Sequence, residues 1–135
     1  MDVAITYKWR GDVRDAELNT LHAEAFGHEV YPDDEWNWTE QLGRSLGWVS
    51  ARDGDELVGF VNVPWDGVVH AFVLDTMVAA SHGRHGIGTE LVAVAVTEAR
   101  RAGCEWLHVD FEDDLRPFYF DACGFVPTNA GLIEL

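Results

Sequence analysis

The stretch SHGRHGIGTEL, residues 81–91, restricts the fold of this sequence more than any other feature. It places three glycines between an apolar run and an alanine- and valine-rich helical pattern. The junction predicts a strand, a tight loop and a helix, followed by a parallel strand after a right-handed crossover. The first backbone N–H groups of such a helix have no partner inside it, and glycine lets an anion approach them closely. The loop therefore predicts a phosphate or pyrophosphate site, although a tight turn with positive φ requires the same glycines.

The remaining pattern predicts a mixed α/β sheet that is mostly antiparallel, with one parallel βαβ unit and flanking helices. An Asp53-Gly54 pair between two β-rich runs indicates a hairpin. Further strands are expected at residues 3–9, 68–78 and 104–111, with two short closing strands at 125–126 and 132–135. Because residues 68–78 are almost entirely apolar, they are expected to form one central strand.

Helices are expected where apolar residues recur at helical spacing between capping residues. The expected ranges are 13–26 with Asp12 as cap, 39–44, 86–102 ended by Gly103, and a short helix between Asp114 and Gly124. The 135 residues are expected to form a single domain, 1–135.

The composition restricts the partners more than the fold. With 9 Lys and Arg against 24 Asp and Glu, the net charge of −15 disfavours nucleic acid and anionic membranes. The same charge favours a cationic amine, but solubility or a salty, crowded cytoplasm explains it equally well. The sequence contains no apolar run near 20 residues, no secretory pattern at its start and two cysteines without metal-type spacing, so a cytoplasmic protein with reduced cysteines is expected.

Two phosphate-binding loops fit the glycines poorly. A P-loop requires Lys-Ser or Lys-Thr after its last glycine, where this chain has Thr89-Glu90, so that loop is excluded. A dinucleotide fingerprint requires a third glycine, where this chain has Leu91. Asp110 does fall where a ribose-binding acid belongs, so a dinucleotide-binding protein stays a weak alternative.

The stretch VAASHGRHGIGTEL resembles the acetyl-CoA loop of the GNAT superfamily of N-acetyltransferases. Val78 matches the valine that ends the family's fourth strand, and Gly86 and Gly88 match its two glycines. Gly83 stands where the family has Gln or Arg, with Arg84 beside it. The order of strands and helices matches the family over essentially the whole chain. The resemblance implies acetyl-CoA as co-substrate, no metal, and a coenzyme site made of Met77, Val78, Gly83, Arg84, His85, Gly86, Ile87, Gly88 and Thr89.

The resemblance extends to a catalytic tyrosine that the family places four residues before a Gly-Phe pair. In FYFDACGF, Tyr119 lies five residues before Gly124, and a bulge in the short helix would restore its direction. The family reaction is direct attack of an amine on the acetyl thioester. The resemblance implies that Tyr119 protonates the leaving thiolate and that a backbone N–H near Met77 or Val78 binds the carbonyl oxygen. Packing of Tyr119 in the core is the alternative.

Asp75 is the candidate base, because a carboxylate in an apolar strand is costly unless it is paired or functional. Its alternative role is that of a structural acceptor for loop amides. His108 and Asp110 point to one side of the next strand and are candidate proton-relay and substrate-binding groups.

Trp36 and Trp38, with the acids at residues 33–35, fall where the family has its substrate-covering loop. Aromatic walls with carboxylates suit a cationic amine, whereas simple packing onto the core explains tryptophans equally well.

The prediction is an N-acetyltransferase acting on an amine of a small molecule or peptide. A catalytically silent acyl-CoA-binding or sensor domain is the second hypothesis, motivated by the shifted Tyr119. His82 and His85 have no third ligand at a suggestive spacing, so no metal is expected. The family also implies a possible homodimer through edge strands.

Overall fold

The computed structural model describes residues 4–32 and 35–135, so Val3, Asp33 and Asp34 lie outside the described residues. The strands are β1 (Ile5–Trp9), β2 (Ser45–Asp53), β3 (Glu56–Pro64), β4 (His70–Phe72), β5 (Leu74–Val78) and β6 (Trp106–His108). The helices are α1 (Asp15–Phe26), α2 (Trp38–Leu42), α3 (Ile87–Arg101) and a π-helical segment at Pro117–Ala122. Short 3-10 turns lie at Ala80–His82 and Asp113–Leu115.

The central sheet is antiparallel in the order β1-β2-β3-β5, and β4 pairs in parallel with β6 in a second, two-stranded sheet. The predicted Asp53-Gly54 hairpin is confirmed, with Gly54 at φ 61°. Helices cover both faces of the central sheet. A Cβ on Gly59 would meet Ile87 and Leu91 of α3, whereas its neighbour Phe60 packs edge-on against Trp38 of α2. The mixed α/β architecture with one parallel pair is therefore as predicted.

The run at residues 68–78 forms two strands, where the sequence predicted one. The strand is interrupted at Val73, so that β4 pairs with β6 and β5 pairs with β3. Asp75 adopts a left-handed conformation at φ 56°, and the β3–β5 register shifts between Phe60 and Asn62. The apolar sequence of this run does not indicate where the strand is interrupted, because the interruption arises when its two halves pair in two different sheets. Among the described residues β5 therefore pairs with β3 alone, and its unpaired side is called here the gap beside β5.

Helix caps also differ from the predictions. The N-cap of α1 is Arg14, whose N–H donates to the Glu17 carboxylate at 2.9 Å, so Asp12 does not cap this helix. Asn37 caps α2 by accepting the Glu40 N–H at 2.9 Å. The N-cap of the π-helical segment is Arg116, and Asp114 lies in the preceding 3-10 turn, so Asp114 does not cap the short helix either.

The predicted closing strands at 125–126 and 132–135 were wrong. Within the described chain, the strand predicted at 104–111 is limited to Trp106–His108, and residues 126–135 are all exposed. The Phe125 N–H donates to the Tyr119 carbonyl at 2.9 Å, the last backbone hydrogen bond along the described chain. A β-rich pattern needs a partner edge, and this segment reaches none in its own chain.

Two further observations concern sequence-based expectations. None of the helices in residues 4–32 and 35–135 has the length and apolar character that a membrane crossing requires. Cys104 and Cys123 are free and partly buried. Burial raises the pKa of both thiols, which keeps them in the protonated, less reactive form at neutral pH.

Candidate functional site

The glycine loop joins β5 to α3 and has the backbone geometry of an anion site. Gly86 is the N-cap of α3 at φ 75°, a left-handed conformation that favours glycine, and Arg84 is also left-handed at φ 64°. Within the described part of the chain, no acceptor meets the N–H groups of residues 84–89. Together with the positive end of the α3 dipole, these amides form a seat for a negatively charged group.

The three glycines have three different structural roles. Gly86 supplies the positive φ. Gly88 allows close packing, because a Cβ there would lie 3.1 Å from the Phe118 ring of the π-helical segment. Gly83 is required for neither reason, since its φ is −62° and a Cβ would meet only the Ala80 carbonyl oxygen at 3.7 Å. The position where the family carries Gln or Arg therefore has room for a side chain.

Two side chains hold the loop in place. The Ala80 N–H donates to the Glu24 carboxylate at 2.8 Å, which ties the loop to α1. His82 lies with Nε2 2.9 Å from Asp53 Oδ2 and Nδ1 2.8 Å from the Ser81 hydroxyl. Arg84 and His85 are exposed, and neither forms an ion pair with a described residue. Of the two loop histidines, His82 therefore anchors the loop and His85 is exposed. The described chain has no cluster of three metal-ligating side chains.

The gap beside β5 begins at Val73, where the chain leaves its pairing with β6. The Val73 N–H still donates to the His108 carbonyl at 2.8 Å, and β5 makes no pairing with β6 after it. The Ala79 N–H donates to Val58 of β3, at 2.8 Å, and successive N–H groups of a strand alternate in direction. The Val78 and Thr76 N–H groups therefore point into the gap, and that of Met77 points towards β3. Thr76 was missed by the sequence reasoning.

Tyr119 lies at the gap, held by the π-helical segment. The Cys123 N–H donates to the Phe118 carbonyl at 2.9 Å, a wider turn that absorbs the extra residue before Gly124. The buried Tyr119 ring stacks on Phe111 with centroids 4.6 Å apart, and its hydroxyl donates to Thr76 Oγ1 at 3.2 Å. Burial raises the pKa of Tyr119, partly offset by the Thr76 hydrogen bond, so the hydroxyl stays protonated at neutral pH.

Asp75 faces the opposite side of β5, towards α1 and α2. Its side chain is 26% exposed, with Oδ1 3.9 Å from Nε2 of His22. Burial raises the pKa of Asp75 above its ordinary value, while the charge of His22 and a hydrogen bond from Gln41 lower it in part. Burial likewise lowers the pKa of His22, although Asp75 opposes that shift. Desolvation brings the proton affinities of the two groups closer together.

A chain of ring nitrogens continues from His22 to the surface. His22 Nδ1 lies 2.6 Å from His28 Nε2, and His28 Nδ1 lies 2.6 Å from the Glu29 carbonyl oxygen. Because a carbonyl only accepts, His28 carries its proton on Nδ1 and accepts from His22 on Nε2. Neutral His22 therefore presents the lone pair of Nε2 to Asp75. Neither histidine was identified from the sequence, where nothing connects α1 with β5.

The two predicted substrate-binding tryptophans have different environments. Trp38 is 1% exposed, donates from Nε1 to Asn19 Oδ1 at 2.7 Å and packs against Phe60, so it belongs to the core. Trp36 is 42% exposed and lines an open groove of about 740 Å³ beside α2. Carboxylates of Glu35 and Glu40 also line this groove.

The groove lies next to Asp75, because Gln41 lines it and in part lowers the pKa of that carboxyl. Asn62 also lines it and is fully buried. Its Oδ1 accepts from the Ser45 hydroxyl at 2.6 Å, whereas its Nδ2 has no partner among the described residues. A buried donor without a partner is unfavourable, and it is available to an oxygen of a bound molecule.

The structure brings His108 to His70 and not to Asp75. His108 Nε2 lies 2.8 Å from His70 Nδ1, and its ring stacks on Phe72 with centroids 4.9 Å apart. Both histidines lie on the open face of the β4–β6 pair. Asp110 affects Tyr119 through its negative charge, which contributes to the raised pKa of that hydroxyl. The ionisable neighbour of Asp75 is therefore His22 on α1, and none of the described contacts joins His22 to β6.

The sequence profile of the acetyltransferase (GNAT) family matches residues 13–125. The chain belongs to this family. A putative acetyltransferase from Deinococcus radiodurans R1 is 26% identical, with 96% of this chain and 87% of that chain covered at a TM-score of 0.76. A GNAT-family acetyltransferase from Streptococcus pneumoniae TIGR4 is 23% identical over 98% of both chains, with a TM-score of 0.78.

A third similar structure is AAC(6')-Iy in complex with the bisubstrate analog CoA-S-monomethyl-acetylneamine. It is 16% identical, covers 98% of this chain and 97% of its own, and has a TM-score of 0.76. The curated proteins gave no match to the sequence. Against the GNAT pattern, this chain departs at Gly83 and at the residue inserted before Gly124, and the π-helical segment accommodates the second departure.

Proposed function

We propose that the protein is an acetyl-CoA-dependent N-acetyltransferase in which a primary amine attacks the thioester directly. One observation carries this proposal. Adjacent residues of β5 direct a partly buried carboxyl, Asp75, to one side and hold a protonated hydroxyl, Tyr119, through Thr76 on the other. A base and an acid at one strand suit a reaction in which the attacking nitrogen loses a proton and the departing sulfur gains one.

The coenzyme is proposed to bind along the glycine loop and the gap beside β5. Its pyrophosphate would accept hydrogen bonds from the N–H groups of residues 84–89 at the positive end of α3. Arg84 is close enough in sequence to add a cation in place of the Gln or Arg absent at Gly83. Val78, His85, Ile87 and Thr89 complete the proposed coenzyme site. Met77, expected there from the sequence, is 1% exposed and turns its N–H towards β3, so it is left out of the proposed site.

Asp75 is proposed as the base. A typical alkylamine has a pKa of about 10, so it must lose a proton before it attacks. The raised pKa of Asp75 makes it a stronger base than an exposed carboxylate. His22 then takes the proton at Nε2, which lies 3.9 Å from Asp75 Oδ1, and passes its Nδ1 proton to Nε2 of His28. The partly exposed His28 releases its Nδ1 proton to water.

The rest of the reaction is assigned to the other side of β5. As the nitrogen forms its bond to the acetyl carbon, the carbonyl oxygen gains charge and accepts from the Val78 or Thr76 N–H. The carbon–sulfur bond breaks and the thiolate takes the proton of the Tyr119 hydroxyl. The nitrogen loses its remaining extra proton to solvent, from which Tyr119 is protonated again. The products are an acetylated amine and coenzyme A.

The acceptor is proposed to be a cationic amine of a small molecule or peptide that also carries an oxygen acceptor. Trp36 and Glu35 form an aromatic and acidic wall of the groove, which favours a cation. Glu40 is paired at 3.4 Å with Arg44, which also lines the groove. The Asn62 Nδ2 group supports a second polar group on the same molecule. Asp110 and His108 would contact only the part of a larger acceptor that extends over the open face of β4 and β6.

Acetyl-CoA binding and turnover test this function directly. Calorimetry is expected to give a dissociation constant in the micromolar range, and a thiol-release assay is expected to show turnover with part of a panel of diamines, amino sugars and peptide amines. Absence of binding at millimolar acetyl-CoA would overturn the proposal. Binding without turnover across the panel would favour the acyl-CoA sensor instead.

A Tyr119→Phe variant is expected to lower kcat about 10-fold, with little change in the KM for acetyl-CoA. The ring and its stacking on Phe111 remain, and only the proton donor is lost. Steady-state kinetics of this variant and of Tyr7→Phe, a matched removal of a hydroxyl on β1, provide the comparison. Full turnover by Tyr119→Phe would leave that residue a packing role only.

A further inference from the structure

A hydrogen-bonded chain of Ser81, His82 and Asp53 lies at the start of the glycine loop. His82 Nδ1 lies 2.8 Å from the Ser81 hydroxyl oxygen, and His82 Nε2 lies 2.9 Å from Asp53 Oδ2. Asp53 belongs to the β2–β3 hairpin, 29 positions before His82, so only the fold brings this carboxylate to the imidazole. A hydroxyl, an imidazole and a carboxylate at these distances have the geometry of an activated serine nucleophile.

The two partners of His82 determine where its proton lies. A carboxylate only accepts hydrogen bonds, so the neutral imidazole carries its proton on Nε2, directed at Asp53. Nδ1 then has the lone pair and accepts the hydroxyl proton of Ser81. The side chain of His82 is 12% exposed and that of Asp53 is 42% exposed, so the base is better shielded from water than the acid. His82 is therefore placed to remove the proton of Ser81.

Ser81 is accessible to a reactant and has a backbone donor available. The residue is exposed. The neighbouring N–H groups of residues 80, 82 and 83 each have an acceptor, whereas the Ser81 N–H meets none among the described residues. In serine hydrolases the N–H of the nucleophile itself helps to bind the carbonyl oxygen as it gains negative charge. The site thus combines a nucleophile, a base, an orienting acid and a donor for that oxygen.

We propose that Ser81 is the nucleophile of a second site, which hydrolyses small, uncharged carboxylic esters. The carboxylates of Asp53 and of Glu24, which accepts the Ala80 N–H at 2.8 Å, disfavour an anionic ester. Ester hydrolysis here requires none of the groups assigned to acetyl transfer, so it is independent of that proposed function.

The hydrolysis has two steps that share one base. Ser81 Oγ bonds to the acyl carbon, its proton moves to His82 Nδ1, and the carbonyl oxygen accepts from the Ser81 N–H. The bond between the acyl carbon and the alcohol oxygen breaks, and that oxygen takes the proton from Nδ1. Water then attacks the acyl group and gives a proton to Nδ1. The carboxylic acid leaves as Ser81 Oγ takes this proton, which restores the free serine.

Hydrolysis of 4-nitrophenyl acetate by the full chain tests the second site. A rapid first release of nitrophenol followed by slower turnover is expected, and peptide mass spectrometry after an acid quench is expected to find the acetyl group on Ser81. Ser81→Ala is expected to lower the rate about 100-fold or more. The control Ser50→Ala should keep it, because the Ser50 hydroxyl lies 3.5 Å from the Lys8 carbonyl oxygen and not beside an imidazole.

Two further variants test the base and the acid. His82→Asn is expected to abolish acetylation of Ser81. Asp53→Asn is expected to lower its rate about 10-fold, because asparagine keeps the hairpin turn but no longer fixes the imidazole tautomer. Melting temperatures check that each variant is folded. A wild type without acetyl on Ser81, or a Ser81→Ala variant as active as the wild type, would overturn the proposal and leave His82 only its anchoring role.

Discussion

Replacing Asp75 with asparagine is expected to lower kcat about 100-fold or more, equivalent to about 2.7 kcal/mol of transition-state stabilisation. Asparagine keeps the shape of the side chain and tolerates the left-handed backbone at φ 56°, so only the proton acceptor is lost. The KM for acetyl-CoA is expected to change little, because the proposed coenzyme site lies on the other side of β5. Steady-state kinetics with a saturating amine measure both constants.

The pH dependence of the loss in kcat distinguishes the loss of a base from the loss of a structural acceptor. The neutral fraction of the amine grows as the pH approaches the amine pKa, so the need for a base declines. The ratio of wild-type kcat to Asp75→Asn kcat should therefore decrease. Loss of a structural acceptor would instead lower kcat equally at all pH values. Asp55→Asn, which removes the same charge in the β2–β3 turn, is expected to keep wild-type kcat, and an Asp75→Asn variant with more than half of wild-type kcat would exclude Asp75 as the base.

Asp75→Asn should also leave the fold at least as stable as the wild type at neutral pH. Burial raises the pKa of Asp75 in the folded state above its unfolded value, so the folded protein binds the proton more tightly. Stability from this group is therefore present below the unfolded pKa and is lost as the pH rises through the folded pKa. The neutral asparagine avoids that loss, and a melting temperature no lower than that of the wild type checks the point.

Gly88→Val is expected to raise the dissociation constant for acetyl-CoA about 30-fold or more. A Cβ at this position already lies 3.1 Å from the Phe118 ring, and the branched side chain would push α3 and the π-helical segment apart. That displacement would move the N–H groups of residues 84–89 away from the proposed pyrophosphate position and would shift Tyr119. Calorimetric titration with acetyl-CoA measures the change.

Gly83→Val provides the comparison for Gly88→Val. Its Cβ meets only the Ala80 carbonyl oxygen at ordinary contact distance, so less than a threefold change is expected. Adding Phe118→Leu to Gly88→Val should restore part of the binding, because the smaller side chain relieves the clash. Equal effects of Gly83→Val and Gly88→Val would show that side-chain volume anywhere in the loop, and not packing on Phe118, controls the affinity.

The roles of single residues were harder to predict than the elements that carry them. Trp36 and Trp38 looked equivalent in the sequence, yet the fold buries Trp38 against Asn19 and leaves Trp36 on the groove. The short helix carrying Tyr119 was predicted with a possible bulge, and the π-helical segment supplies it. Residues 132–135 have the local preference of a strand but no edge to pair with in their own chain.

The sequence by itself determined the features that depend on local conformation: the glycine loop after a strand, the Asp53-Gly54 hairpin, the extent of α3 and the family resemblance. Only the tertiary structure decided the division of residues 68–78 between two sheets and the left-handed Asp75 beside His22. The physical reason is that turns and helix ends follow from the preferences of neighbouring residues. Strand partners, burial and raised pKa values follow from segments far apart in the chain.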